Sequence, residues 1–209
     1  MTTMPIGRHS TLVVIRGNSG SGKTTAAREV RRQYGRGLAL IEQDEFRRVV
    51  LREHGGLGDD AVAPGFIAAS VRYLLGAGYH VIVEGILHSS GYGRPLREVI
   101  GEHPGPSHVF YLDIGFAETV RRHTSRNEPI PVTAADMQRW YTPNDVLGVT
   151  GEHIISEHST LEQTVTTILA SSGLAGLAPA APCPARCPRC AEKHAAADTD
   201  MPTTFGGLV

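Results

Sequence analysis

Eight consecutive residues, Gly17-Asn18-Ser19-Gly20-Ser21-Gly22-Lys23-Thr24, set three glycines, a lysine and a hydroxyl at fixed spacing. They match the pattern G-x-x-x-x-G-K-[ST], the phosphate-binding P-loop, and each part of the pattern has a mechanism. The glycines let the backbone wrap closely around a phosphate and turn its N–H groups inward. A helix opening at Gly22 aims the positive end of its dipole at the same anion. Lys23 reaches the β- and γ-phosphates, the Thr24 hydroxyl ligates Mg²⁺, and Thr25 closes the run of nucleotide contacts. The expectation is a bound nucleoside triphosphate, ATP or GTP, with Mg²⁺.

In open α/β sheets ligands sit beyond the carboxyl ends of the strands, so polar residues ending the other apolar runs are the next candidates. Asp44 follows Leu38 to Gln43 and stands where a general base would take a proton from an acceptor hydroxyl. Arg47 and Arg48 come three and four residues later, and Arg47 is the candidate for orienting substrate or base. Glu84 ends the run Val81-Ile82-Val83, a position for holding Mg²⁺ or contacting substrate, since a buried acid without a partner is costly. Whether Asp44 or Glu84 is the base stays open at this point. His88 is a further candidate for binding substrate, and Asp113 is expected to cap the helix beginning near Phe116. Arg122 and Arg126 lie four apart on one helical face, with Arg121 about 100° aside. Two guanidiniums closing over the phosphates would stabilise the charge on a transferring group.

These residues need a scaffold, and the chain supplies an alternating one. Leu12 to Ile15, Leu38 to Gln43, His80 to Gly85, His108 to Asp113 and Glu152 to Glu157 are continuous apolar runs. Such runs suit parallel strands covered on both faces. Between them, Ala26, Ala27, Val30 and Tyr34 make one helical stripe. Val62, Phe66, Ile67, Ser70, Val71, Leu74 and Leu75 make a second, stopped by Gly76 and Gly78; Leu161, Val165, Ile168 and Leu169 make the last. From Phe116 to Asp145 a basic helix breaks at Pro129 and Pro131, and a second helix opens at Thr133 with Asp136 as its capping partner. Two helices on a proline hinge are expected to form a lid; Trp140 and Tyr141 either pack it or stack on a ring.

Composition narrows the rest. A chain of 209 residues, 41% hydrophobic and 20% charged, fits one domain over residues 1–171 plus a tail over 172–209. The tail is rich in Ala, Pro and Gly without apolar periodicity, so it is expected to be disordered. Its Cys183, Cys187, Cys190 and His194 fit a structural zinc site poorly, because prolines at 182, 184 and 188 interrupt them. A net charge of -1 gives no reason to expect nucleic acid or an anionic membrane as partner. No apolar run is long enough to span a bilayer and the N-terminus lacks a signal-peptide core, so a cytoplasmic protein is expected. Oligomeric state is not legible.

Taken together, IRGNSGSGKTT, IEQDEFRR, VIVEGIL and FAETVRRH resemble the P-loop small-molecule kinases. That group includes gluconate kinase, shikimate kinase, chloramphenicol phosphotransferase and the zeta-toxin kinases. The resemblance runs from about Thr11 to Leu169 and implies a five-stranded parallel sheet in the order 2-3-1-4-5. It also implies ATP with Mg²⁺ as donor and the acid after the second strand, Asp44, as base. The acceptor does not carry over: neither a Gly-Gly-Gly acceptor loop nor a chloramphenicol signature is present. It is a small-molecule hydroxyl on a metabolite, a nucleoside or an antibiotic. The rivals are an ATPase or GTPase switch and a polynucleotide 5′-kinase. The first lacks the N/T-K-x-D guanine motif in its GTPase form, and the second asks for a basic groove.

Overall fold

The computed structural model describes residues 10–54, 61–125 and 131–177. Its elements alternate: β1 (Leu12–Gly17), α1 (Lys23–Tyr34), β2 (Leu38–Glu42), a π-helical segment (Glu45–Val50), α2 (Ala63–Gly76), β3 (His80–Gly85) and α3 (Ser89–Glu102). Then follow β4 (Ser107–Asp113), α4 (Phe116–Thr124), α5 (Ala134–Trp140), β5 (His153–Ser156), α6 (Leu161–Ser171) and a 3₁₀ turn (Leu174–Gly176). The five strands are parallel and ordered β2-β3-β1-β4-β5, the order the resemblance implies.

The apolar runs are continuous because each strand is buried on two faces. Along β1, Val13 and Ile15 join one core cluster with Ala26, Ala27 and Val30 of α1 and Val165 and Ile168 of α6. Leu12 and Val14 join the other, with Ile67 and Val71 of α2 and Tyr92, Leu96 and Val99 of α3. Burial of each valine, leucine or isoleucine among them contributes about 1.5–3 kcal/mol. This parity also aims the charged residues at the strand ends. Arg16 follows Leu12 and Val14 to the α2/α3 side, and Glu84 follows Ile82 to the α1 side.

The α1 stripe is buried as its spacing predicts: Ala26, Ala27, Val30 and Tyr34 are all in the core. The α2 stripe is rotated from expectation. Ala63, Ile67, Ala68, Val71 and Leu75 are its buried residues, and Val62, just before the helix, is exposed. Phe66 packs instead on Phe46 of the π-helical segment, with ring centroids 5.3 Å apart. In α6, Val165, Ile168 and Leu169 are buried, but Leu161 in the first turn is exposed and Thr164 takes a core position. Helix α3 has no counterpart in the sequence reading. Gly91, Gly93 and Pro95 argue against a helix, yet burial of Tyr92, Leu96 and Val99 outweighs them. After α6 the chain continues into the 3₁₀ turn, whose Leu174 is buried against the α1/α6 core. Cys183, Cys187, Cys190 and His194 lie outside the described residues.

Candidate active site

The P-loop joins β1 to α1, and Gly17, Gly20 and Gly22 hold positive φ angles that would strain any side chain. Gly20 has φ +80°, and a Cβ there would lie 2.5 Å from the Thr119 carbonyl oxygen of α4. Gly22 caps α1 in the left-handed region and leaves the first N–H groups of the helix without a side-chain cap. Asn18 faces the segment after α5 rather than the loop's interior: its Nδ2 donates to the Thr142 carbonyl, and its Oδ1 accepts the Thr142 N–H. Ser21 is buried, and its hydroxyl has no partner among the described residues. Ser19 and Thr25 are half-buried and exposed, respectively.

Lys23 is 7% exposed, and its Nζ donates to the Asn18 carbonyl at 3.0 Å. Thr24 donates its hydroxyl to Glu84 Oε1 at 3.1 Å. The second oxygen of Glu84 is buried and unpartnered among the described residues. Burial raises the Glu84 carboxyl above its ordinary pKa; Lys23 and the Thr24 hydroxyl oppose the rise, and Glu42 and Asp44 add to it. Glu84 lies beside Glu42 in the β2–β3 register, and Glu42 is held by both Nε and Nη2 of Arg28 at 2.6 and 2.7 Å. An orphaned carboxylate oxygen beside a threonine hydroxyl and a lysine suits Mg²⁺. That ion keeps several waters and takes one or two protein oxygens plus phosphate.

Asp44 follows β2 by two residues, and its side chain is 75% exposed. Its partner is Arg48, whose Nε donates at 3.0 Å. Burial raises the pKa of the Tyr92 phenol of α3; the Gln43 side chain and the charge of Arg47 oppose the rise. Between β2 and β3, Gln43 lies so close over Gly85 that a Cβ at Gly85 would overlap its side chain. From there Gln43 Oε1 accepts the Leu87 N–H at 3.1 Å. His88 ends this turn, with Nδ1 3.6 Å from Asp145 Oδ2.

Arg122 meets the P-loop. Its Nη1 donates to the Ser21 carbonyl at 3.2 Å, its Nη2 to the Glu157 carbonyl at 2.9 Å, and its Nε to Glu118. Arg121 shares Glu118 but stays out in solvent, as its offset on the helix requires. Arg126 lies outside the described residues. Asp113 does not cap α4: Gly115 occupies the cap position, and its N–H goes to Glu157 instead. The start of α5 is the expected capping box between Thr133 and Asp136. Tyr141 packs edge-on against Phe116 and donates its hydroxyl to the Ile114 carbonyl.

Sequence reasoning passed over a buried charge cluster behind the P-loop. Arg16, the last β1 residue before Gly17, is fully buried. It donates to the Leu87 carbonyl, to Asp145 at 2.9 Å and to Glu152 at 3.5 Å. Its guanidinium lies 5.8 Å from the ring centre of Tyr111, its register partner on β4. Burial lowers the pKa of Arg16 from its ordinary value, and Asp145 and Glu152 oppose the fall. A charge inside the run LVVIRG was the available signal, since such a charge must find partners. Nothing in the spacing named Asp145 or Glu152 as those partners.

Comparison with known proteins agrees with this fold. A sugar kinase from Janibacter sp. HTCC2649 superposes with a TM-score of 0.60 at 22% identity, over 79% of this chain and 97% of that one. The APS kinase of Mycobacterium tuberculosis, in complex with AMPPNP and APS, gives 0.63 at 16% identity, over 82% and 100%. A tunicamycin resistance protein from Deinococcus radiodurans gives 0.58 at 20% identity, over 81% and 99%. No curated protein matches the chain. At these identities the likeness is one of fold, the P-loop kinase fold. A family model described as an AAA domain matches residues 12–143, from the first strand to just beyond the Asn18–Thr142 contact, and the chain belongs to that family.

Proposed function

We propose that this protein is an ATP-dependent kinase that moves the γ-phosphoryl group to a hydroxyl of a small molecule. The observation that carries this is the convergence of Lys23, Thr24 and Glu84 at the ends of β1 and β3, with Asp44 open to solvent beyond β2. In the reaction the acceptor oxygen bonds to the γ-phosphorus, the bond from that phosphorus to the β–γ bridging oxygen breaks, and ADP leaves. Asp44 takes the acceptor proton as the new bond forms. The P-loop amides and Lys23 hold the β- and γ-phosphates. Thr24 and Glu84 would hold Mg²⁺, which neutralises phosphate charge when bound. Arg122 stabilises charge on the transferring group, a role the sequence also assigns to Arg126, and α4 and α5 exclude water above it.

Arg47, Glu84 and His88 flank the acceptor. Its class is a metabolite, a nucleoside or an antibiotic, and the solved proteins of this fold include a sugar kinase, an APS kinase and a tunicamycin resistance protein. The test is ATP consumption against a panel of sugars, sugar acids, nucleosides, APS and hydroxylated antibiotics, with product mass read for one added phosphoryl group. Acceptor-dependent turnover is expected. Slow hydrolysis that no compound accelerates would contradict the reading and favour a switch that binds a partner protein.

A further inference from the structure

The turn between β3 and α3 is held in an uncommon shape. Leu87 is fully buried and has φ +45°, a backbone conformation that residues other than glycine rarely adopt. Two contacts fix its peptide groups. Gln43 takes the N–H from the β2 side, and Arg16 gives two bonds to the carbonyl, Nε at 3.1 Å and Nη2 at 2.9 Å. The same Nη2 reaches Asp145, which also accepts the Ser89 N–H at 3.0 Å and the Ser89 hydroxyl. Asp145 itself is fixed from below, its N–H donating to the Tyr111 hydroxyl at 3.2 Å. One arginine, next in sequence to the first P-loop glycine, thus ties the turn carrying His88 and Ser89 to the strand that carries the P-loop.

We infer that Arg16 is a positioning residue for the acceptor: through the Leu87 carbonyl and Asp145 it fixes where the β3–α3 turn stands relative to the P-loop. This rests on the kinase reading above. Arginine is required because a planar fork can give two bonds to one carbonyl and a third to a carboxylate; a lysine cannot reproduce that geometry. Asp145 is the second half of the brace, holding the guanidinium on one side and the first turn of α3 on the other.

The test uses the full chain and two variants, Arg16→Lys and Asp145→Asn. Asp145→Asn covers the case in which Arg16→Lys does not fold. Amide exchange by NMR is read at Leu87, whose N–H touches neither altered residue. Exchange there is expected to speed up about tenfold or more, while Ala27 of α1 and Ile168 of α6 stay within about twofold. A loss of general stability would move all three amides together. In the same variants, KM for the best panel acceptor is expected to rise about tenfold while KM for ATP stays within about threefold.

Unchanged exchange at Leu87, or equal rises in both KM values, overturns the inference and leaves the kinase reading standing. A wild-type protein that phosphorylates no panel compound overturns the kinase reading and the acceptor role with it. The Leu87 exchange rate separates the two failures, because it needs neither nucleotide nor acceptor.

Discussion

Asn18, the second residue of the P-loop, and Thr142, beyond α5, hydrogen-bond to each other in both directions. The asparagine amide donates to the Thr142 carbonyl at 2.9 Å and accepts its N–H at 3.0 Å. A side chain here plays the part of a neighbouring strand, and it pins the segment after α5 to the phosphate loop. Asn18→Ala strands the Thr142 N–H and leaves its carbonyl only the Tyr111 hydroxyl at 3.4 Å, and the expected loss is about 1–3 kcal/mol of unfolding free energy. A urea midpoint indistinguishable from wild type, at equal slope, would show the contact to be dispensable.

Asp44→Asn removes the proposed base and leaves the P-loop intact. Phosphoryl transfer should fall about 10²–10⁴-fold with nucleotide affinity nearly unchanged. Normal transfer by this variant would shift the role to Glu84. Arg48→Ala removes the partner of Asp44 at an exposed pair, 3.0 Å across, so its effect on stability should be within about 1 kcal/mol.

Much of this site was legible because its chemistry is local in sequence. Gly17 to Thr24 are contiguous, and the acid-bearing ends of β2 and β3 follow apolar runs that reveal themselves. The sheet order came from resemblance, since no periodicity states which strands pair. What stayed hidden depends on contacts across the chain. Arg48, four residues on, meets Asp44, a pairing that spacing alone leaves open between Arg47 and Arg48. Helix α3 was obscured by two glycines and a proline whose local preference is overruled by burial. Arg16 and Asp145 are 129 residues apart, and only the folded chain brings them to 2.9 Å.

Glu84 makes stability depend on pH. Its folded-state pKa is raised by burial, so in the window from the ordinary carboxylate value up to the folded value the native protein keeps a proton that the unfolded chain has lost. Stability therefore falls as pH rises through that window. Glu84→Gln abolishes this slope. Without nucleotide or metal, the variant should melt higher than wild type at about pH 8 and match it below the unfolded carboxylate pKa. Each kcal/mol recovered corresponds to about 2–4 °C. A variant that melts lower at the alkaline end would contradict the desolvation argument.

Gly20→Ala tests the packing of the P-loop on α4. The added methyl would meet the Thr119 carbonyl at 2.5 Å in a backbone region unfavourable to side chains. It should both destabilise the fold and weaken nucleotide binding, measured by thermal melts with and without ATP and Mg²⁺. Full stabilisation by nucleotide in this variant would mean that the loop tolerates the shift.

The central claim, that the loop from Gly17 to Thr24 grips the phosphates of a nucleotide with Lys23 at their focus, is tested most directly by calorimetry. ATP is titrated with Mg²⁺ present into wild type and into Lys23→Ala. Wild type is expected to bind at one site with measurable heat, and Lys23→Ala to bind at least about tenfold more weakly, because the ammonium proposed to meet the phosphates is lost. No heat from wild type with either ATP or GTP, or equal affinity in the two proteins, would contradict the account.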